Sequence, residues 1–249
     1  EFKFNQLSVS QQTAIGIDAE NIVNYIRGDQ TLETSNGGSF RNRNSLLGDI
    51  IHSTPVAVTS SQASPPFENL QGTEGSSYAA YVTSKSSITD TVFVGSNDGM
   101  LHAFNADTGE EIMAYVPEGV FNRLNLLTDP AYDHAFYVDG VLSAADVFFG
   151  GAWRTILVGT LGRGGNTVFA LDVTNISTFT EANVLWEFEH DELGNVLGKP
   201  QIVRLNNGKW AVVLGNGYNS TSEKPELFVI DIETGTLTTR ITAGDETDA

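Results

Sequence analysis

Histidine is the first residue type to examine for chemistry, since imidazole binds metals and transfers protons near neutral pH. None of the four histidines has a partner at the i, i+4 or zinc-finger spacing; they are His52, His102, His134 and His190. The chain has no cysteine, which excludes disulfides, zinc–thiolate centres and thiol nucleophiles. No G-x-S-x-G nucleophile elbow occurs either. These patterns predict no catalytic residue and no histidine-based metal centre.

An acidic run at the end of the sequence is the candidate for a cation site. A calcium loop of the EF-hand type reads D-x-[DN]-x-[DN]-G with a later acidic ligand. No such loop is complete here, but Asp245, Glu246 and Asp248 resemble the approach to one. A solvated acidic tail explains the same residues. Calcium is therefore the one cofactor that the sequence brings into consideration.

A tripeptide near the N-terminus raises a second kind of recognition. Arg27-Gly28-Asp29 spells a motif that some host adhesion receptors recognise. It falls at the end of a predicted helix, where a glycine is expected as the C-terminal stop. An adhesion motif and a plain helix end are both compatible with the sequence.

The charge balance limits the partners. Asp and Glu number 31 against 13 Lys and Arg, which gives a formal net charge of −18. Such a surface repels phosphate backbones and anionic lipids and attracts divalent cations. No window approaches the roughly 18 consecutive apolar residues of a membrane helix. We therefore predict no nucleic-acid partner and no membrane span.

A repeated pair of apolar runs carries the fold prediction. The first run ends in glycine and occurs as VFVG (92–95), ILVG (156–159) and VVLG (212–215). The second occurs as LHAFNADTG (101–109), VFALDVTN (168–175) and LFVIDIETG (227–235). Each unit also has a preceding strand, starting near residues 54, 140 and 200, and a following one, starting near 111, 184 and 237. Four short strands per unit are typical of β-propeller blades.

The repeat predicts an all-β fold of about three four-stranded antiparallel blades. Because a propeller ring closes with four to eight blades, the ring would be incomplete, and further blades would come from the same or another polypeptide. Tight turns between the runs account for the polar repeat residues. We predict structural turn roles for Asp98, Gly99, Asp107, Gly109, Asp172, Asp231 and Gly235. The three tryptophans are expected to anchor packing between blades.

The sequence divides into residues 1–45 and a propeller region, residues 46–249. Residues 12–27 have apolar side chains at helical spacing, with Asp18 as the expected N-cap and Gly28 as the stop. They predict one short helix, followed by a polar loop that leads into the propeller. Insertions are expected between strands at residues 60–87, 117–134 and 216–225. We expect the first, rich in Ser, Pro and Gly, to be a contact loop whose deletion leaves the fold intact.

Several long motifs occur in a fixed order along most of the chain. They are NYIRGD (24–29), RNRNSLLGDIIHSTPV (41–56), VFVGSNDGMLHAFNADTGEE (92–111), YVDG (137–140), WRTILVGTLGRGGNTVFALDVT (153–174) and LWEFEHDELGNVLGKPQIVRLNNGKWAVVLGNGYNS (185–220). Together they resemble the C-terminal propeller of the PilC/PilY family of type IV pilus-tip proteins.

The resemblance implies a secreted, non-enzymatic protein at the pilus tip on the outer cell surface. Such a protein caps a minor-pilin complex, promotes pilus assembly against retraction, and contributes to twitching motility. Adhesion to host-cell receptors or abiotic surfaces is implied as well. The family also has a calcium loop in its propeller, whose ligands cannot be carried over onto this sequence.

Two other functions remain open. Hairpins of the type in residues 98–111 also occur in quinoprotein dehydrogenase propellers, although these usually have a vicinal cysteine pair that this chain lacks. A generic propeller scaffold for protein–protein binding is the second alternative.

Overall fold

The computed structural model describes residues 2–61 and 65–243, in which twelve strands form three four-stranded antiparallel sheets. Blade 1 consists of β1 (Val56–Val58), β2 (Thr91–Gly95), β3 (Leu101–Asn105) and β4 (Glu111–Tyr115). Blade 2 consists of β5 (Leu142–Phe149), β6 (Ala152–Thr160), β7 (Val168–Asp172) and β8 (Val184–Phe188). Blade 3 consists of β9 (Gln201–Arg204), β10 (Trp210–Gly215), β11 (Glu226–Asp231) and β12 (Leu237–Thr242). The prediction of three four-stranded antiparallel blades is confirmed.

Each strand pairs with the next one along the chain, as expected for blades built from consecutive hairpins. Strand β5 lies against both β1 and β9, so the first strand of each blade is the inner one. We call the end of the sheets that carries the β2–β3 turn the upper end, and the opposite end the lower end. Because β1 is antiparallel to β2, the segment before β1 approaches from the upper end, and the β1–β2 connection lies at the lower end.

Blade 2 is buried on both faces, which explains its continuous apolar strands. Side chains alternate between the two sides of a strand. In β7, Phe169 and Leu171 belong to the core shared with blade 1, whereas Val168 and Ala170 belong to the core shared with blade 3. The second core also contains all three tryptophans, as predicted: Trp153, Trp186 and Trp210.

The single helix predicted over residues 12–27 is wrong, because the structure has two helices there. Helix α1 (Val9–Ile15) begins with a capping box, in which the Ser8 hydroxyl accepts a hydrogen bond from the Gln11 amide at 3.2 Å. It ends at Gly16, with φ of 101°. Helix α2 (Ala19–Ile26) follows Asp18, whose left-handed φ of 68° breaks the helical path. The Asp18 carboxylate makes no capping bond to the backbone.

The N-terminal helices and blade 1 share one apolar core. Ile22, Val23 and Ile26 of α2 are buried there, together with Phe93 and Leu101 of blade 1. The insertion at residues 117–134 contributes the 3₁₀ helix Glu118–Thr128, which packs against both α1 and α2. The helices of residues 2–45 therefore pack directly on the propeller.

The expectation of a dispensable contact loop at residues 60–87 is also wrong. This segment contains α3 (Gly72–Ser84), flanked by the 3₁₀ helices Phe67–Asn69 and Lys85–Ser87. Tyr78 of α3 is only 1% exposed, and its ring centroid lies 4.4 Å from that of Trp153. Tertiary packing overrides the weak helix propensity of a Gly- and Ser-rich sequence, so this insertion is part of the core.

Candidate functional site

The predicted turn residues have the geometry of hairpin turns. Gly99, Gly109 and Gly235 have φ of 96°, 74° and 70°, a region that favours glycine. The side-chain oxygen Oδ1 of Asn105 accepts hydrogen bonds from the backbone amides of Asp107 and Thr108 at 2.9 and 3.1 Å. The turn acceptor is thus Asn105, at the repeat position, instead of Asp107.

The other two blades use the same repeat position in the same way. Asp231 accepts hydrogen bonds from the amides of Glu233 and Thr234, both at 3.1 Å. Asp172 accepts one from the Thr174 amide at 3.0 Å. These carboxylates satisfy backbone donors of their own turns and have a structural role.

Asp98 makes contacts beyond its own turn. One carboxylate oxygen accepts a hydrogen bond from the Met100 amide at 3.1 Å. The other accepts from the Gly48 amide at 2.8 Å, in the segment that leads into β1. The same carboxylate lies 3.1 Å from Nε2 of His102. Asp98 therefore connects the β2–β3 turn, strand β3 and the preceding segment.

His102 is enclosed between two carboxylates on blade 1. Its Nδ1 lies 2.6 Å from a carboxylate oxygen of Glu111, opposite its contact with Asp98. The residue is only 3% exposed, and its ring stacks on Phe104. Burial lowers the pKa of His102, but the hydrogen bonds and charges of Asp98 and Glu111 outweigh it, so the pKa is raised.

A second histidine–carboxylate pair is formed by His134 and Asp49. Nε2 of His134 lies 2.9 Å from a carboxylate oxygen of Asp49. The side-chain amide of Asn97 donates to the same oxygen at 3.0 Å, and the backbone amide of Asn97 donates to the backbone carbonyl of Asp49 at 3.0 Å. Partial burial raises the pKa of Asp49. The hydrogen bonds from Asn97 and His134 together lower this pKa by more than burial raises it, so the net shift is downward.

The third pair involves His52, just before β1. Its Nδ1 lies 2.7 Å from a carboxylate oxygen of Asp139, and its amide donates to the other oxygen at 3.1 Å. Asp139 is 1% exposed. The fourth histidine lies apart from these pairs, and Nδ1 of His190 accepts a hydrogen bond from the Glu192 amide. Sequence spacing gave no sign of the pairs of His52 and His134, whose partners are 87 and 85 residues away. His102 differs, because Asp98 lies only four residues before it.

The three pairs surround a short loop, residues 46–51, which we call the aliphatic loop. Its large side chains face solvent: Leu46 is 51% exposed, Leu47 39%, Ile50 41% and Ile51 51%. Beside it lies a cavity of about 450 Å³, lined by residues that include Tyr25, Arg41, Leu47, Asp98 and Tyr132. The upper end of blade 1 thus combines an exposed apolar surface with a polar support.

The RGD tripeptide lies at the end of α2. Arg27 and Asp29 are exposed, and Gly28 has φ of 104°. The Arg27 guanidinium donates to the Phe2 carbonyl at 3.0 Å. The Asp29 carboxylate accepts from the Thr31 amide at 2.8 Å, which lowers the pKa of Asp29. The tripeptide is accessible, and its glycine has the backbone geometry of a helix stop.

The suggested calcium ligands Asp245, Glu246 and Asp248 lie outside the described residues. Within residues 2–61 and 65–243, no group of three or more His, Asp or Glu side chains is arranged to hold a metal ion. The described side chains therefore do not fit a calcium site. In the same part of the chain, no helix has the length and apolar character needed to cross a bilayer.

Comparisons with known proteins identify the family. Residues 47–248 match the family model described as the PilY1 beta-propeller domain. The type IV pilus biogenesis factor PilY1 homolog of Xylella fastidiosa is 45% identical over 91% of this chain and 16% of its own length. PilY1 of Pseudomonas aeruginosa strain PAK is 41% identical over 97% of this chain and 22% of its own length. The chain thus spans a quarter or less of these relatives.

A solved structure gives the same result for the fold. The crystal structure of the Pseudomonas aeruginosa PilY1 C-terminal domain is 42% identical, with a TM-score of 0.59. The match covers 69% of this chain and 34% of that one. The chain therefore belongs to the PilY1 β-propeller family.

Proposed function

We propose that this chain is a non-enzymatic propeller module of a type IV pilus-tip protein on the outer surface of a bacterium. In this role it supports pilus assembly against retraction and contributes to twitching motility and adhesion. The observation that carries the proposal is the family match over residues 47–248, together with relatives named as type IV pilus biogenesis factors.

The arrangement of titratable groups favours an assembly module over an enzyme. The His52, His102 and His134 side chains each pair with a carboxylate, and each pair anchors a loop or turn of the scaffold. The relatives are named as biogenesis factors and not as quinoprotein dehydrogenases. A stoichiometric absorbance change on adding pyrroloquinoline quinone to the purified protein would contradict the proposal.

The partners that we propose are minor pilins of the pilus tip and the remaining blades of the propeller. One face of blade 3 supports the second partner. Val213 pairs with Val229, Leu227 with Ile241, and these residues lie on the face opposite the Val212 and Phe228 side chains of the inter-blade core. Leu227 and Ile241 are 39% and 54% exposed. An apolar sheet face of this kind fits a further blade.

The experiment uses the intact protein in a bacterium that lacks its own copy. Leu157→Asp puts a carboxylate into the fully buried core between blades 1 and 2, which should unfold the propeller. We expect surface pili and twitching to fall to the level of the deletion strain. Ser76→Asp, at an exposed position of α3 away from the blade faces, is the matched control. Normal piliation with Leu157→Asp, despite an unfolded propeller, would contradict the proposal.

Adhesion through the tripeptide is a separate part of the proposal, supported by the exposure of Arg27 and Asp29. Asp29→Glu keeps the charge but lengthens the side chain, and should reduce attachment of piliated bacteria to integrin-bearing cells. Asp18→Glu, on the same N-terminal unit, is the control. Undiminished attachment would leave the tripeptide as a helix end only.

Calcium binding remains a proposal for the acidic run at Asp245, Glu246 and Asp248. Titration calorimetry of the intact protein with Ca²⁺ tests it against a variant with Asn, Gln and Asn at these positions. Identical binding by both proteins would rule out this run as the site.

A further inference from the structure

The aliphatic loop concentrates exposed apolar surface in an unusual way. Single exposed apolar residues are normal on protein surfaces and need no explanation, whereas contiguous patches mark interaction sites. Here four large aliphatic side chains within six residues are each more than a third exposed: Leu46, Leu47, Ile50 and Ile51. The aliphatic loop therefore has the character of an interaction site.

The β2–β3 turn holds the loop in place through hydrogen bonds to the loop backbone. The Gly48 amide donates to Asp98, and the Asn97 amide donates to the carbonyl of Asp49. The backbone at Gly48 is so close to the β2–β3 turn that a Cβ atom there would lie 2.6 Å from the Asp98 nitrogen. Fixed geometry lowers the entropy cost of binding, so the exposed side chains form a preorganised surface.

The polar groups around the loop indicate the charge of its occupant. The Asp49 side chain, 49% exposed, is the one charged group within residues 46–51. The adjacent cavity is lined by Asp98 and also by Arg41 and Arg43. However, Arg43 pairs with Glu33 at 2.8 Å, and the Arg41 guanidinium donates to the Leu127 carbonyl at 3.0 Å. The chain as a whole has a net charge of −18. Anionic lipid, nucleic acid and a second copy of this chain are all repelled by such a field. A polypeptide with Lys or Arg beside its aliphatic residues is attracted.

We propose that the aliphatic loop is a docking surface for a cationic amphipathic segment of a partner protein. Aliphatic side chains of that segment contact Leu47, Ile50 and Ile51, and a basic side chain lies near Asp49. The adjacent cavity of about 450 Å³ has room for one of its apolar side chains. This docking does not depend on the pilus role, because the chemistry of the surface defines the occupant.

The test measures peptide binding to the intact protein by fluorescence anisotropy. The probes are two synthetic 18-residue amphipathic helices, one of Leu and Lys and one of Leu and Glu. The triple variant Leu47→Ser, Ile50→Ser, Ile51→Ser removes the apolar surface. We expect it to weaken binding of the Leu/Lys probe by about tenfold or more, since central apolar contacts carry most binding energy. The Leu/Glu probe should not bind the wild-type protein.

A matched control carries Val9→Ser and Ile17→Ser, which remove apolar side chains that are 80% and 97% exposed elsewhere on the surface. The control should bind the Leu/Lys probe like the wild type. Equal binding by the triple variant and the wild type would assign the attraction to general acidity and overturn the proposal. Circular dichroism melting of all variants verifies that each is folded.

Three further measurements separate other occupants. Wild-type flotation with phosphatidylcholine/phosphatidylglycerol vesicles that is lost in the triple variant would make the occupant a lipid surface. A dimer in sedimentation velocity that is lost in the triple variant would make it a second copy. Failure of Leu47→Cys in the intact folded protein to react with a maleimide would mean that its own polypeptide covers the loop. Each of these results would overturn the proposal.

Discussion

Two segments flank the inner strand of blade 1, and they place their apolar side chains in opposite directions. The aliphatic loop precedes β1 at the upper end, with its polar contacts against the blade and its Leu and Ile side chains in solvent. The α3 segment follows β1 at the lower end, with Tyr78 buried against blade 2 and the ring of Phe67 stacked on Trp153. The α3 segment is therefore part of the core, whereas the aliphatic loop exposes its apolar side chains at the surface.

Glu74 of α3 and Lys85, which directly follows α3, are buried along with the aromatic side chains of this segment. Nζ of Lys85 lies 2.9 Å from Asp146 of blade 2, and Tyr78 donates to the same carboxylate at 2.9 Å. Glu74 forms an ion pair with Arg204 of blade 3 at 2.8 Å and accepts from the Trp210 indole. An insertion of blade 1 thus ties blades 2 and 3 together. The carboxylates under the aliphatic loop only fix a loop, so the two ends should differ greatly in their effect on stability.

The largest effect is expected at the lower end, from Asp146→Ala. This change leaves the Lys85 ammonium, 7% exposed, without its carboxylate partner, and breaking a buried pair typically costs about 3–5 kcal/mol. Urea unfolding of the intact protein would measure the loss. Adding Lys85→Met to Asp146→Ala should restore part of it. A loss below about 1 kcal/mol for Asp146→Ala would show that α3 is not held by this pair.

A smaller effect is expected from Glu74→Gln. The amide keeps an acceptor for the Trp210 indole but loses the charge that pairs with Arg204, whose side chain is 31% exposed. We expect a loss of about 1–2 kcal/mol, because the pair is partly screened by solvent. Glu68→Gln, at an exposed position just before α3, should change the free energy of unfolding by less than half as much. Equal losses would argue against a clamp between α3 and blade 3.

The contribution of His102 to the stability of the upper end should depend on pH. The folded-state pKa of His102 is raised above its ordinary value of 6.5, so its stabilisation is complete below that value and is lost as the pH rises through the folded pKa. The free energy of unfolding of wild type minus that of His102→Gln should therefore be larger at about pH 5.5 than at about pH 8.5. Urea unfolding at both pH values measures it. A difference that does not change with pH would contradict the assignment of a charged His102 between Asp98 and Glu111.

The smallest effect is expected from the triple serine variant of the aliphatic loop. Leu47, Ile50 and Ile51 are each more than a third exposed, so the free energy of unfolding should change by no more than about 0.5 kcal/mol per site. Thermal melting of the intact protein checks this. A loss comparable to that of Asp146→Ala would mean that the loop is part of the core and would remove the contrast between the two ends.

The fold was predictable from the sequence because its signals are local. Alternation of apolar residues, the glycines with positive φ and the acceptor position at Asn105, Asp172 and Asp231 all act within one hairpin. Each blade repeats them, so the strand number and pairing could be inferred without any long-range information. Helix ends were less predictable, because Asp18 adopts a left-handed conformation that its residue type permits but does not require.

The candidate site was not predictable, because its contacts join residues that are distant in sequence. In the candidate site, His52 pairs with Asp139 and His134 with Asp49, and at the lower end Lys85 pairs with Asp146 in the same long-range way. His102 is the local exception, with Asp98 four residues away. No spacing rule brings the distant partners together. Composition alone suggested that residues 60–87 form an exposed contact loop, and it did not show that the apolar side chains of the aliphatic loop are the exposed ones.

The sequence by itself determined the blades, since a strand and its turn are specified by neighbouring residues. The tertiary structure alone decided which apolar side chains are buried, because burial depends on whether another blade lies opposite them. For Tyr78, strands β5 and β6 of blade 2 provide that cover through Asp146 and Trp153. For Leu47 and Ile51, which stay 39% and 51% exposed, none of the described residues provides a comparable cover. The difference between a core residue and a recognition residue therefore lies in the surroundings, and not in the residue type.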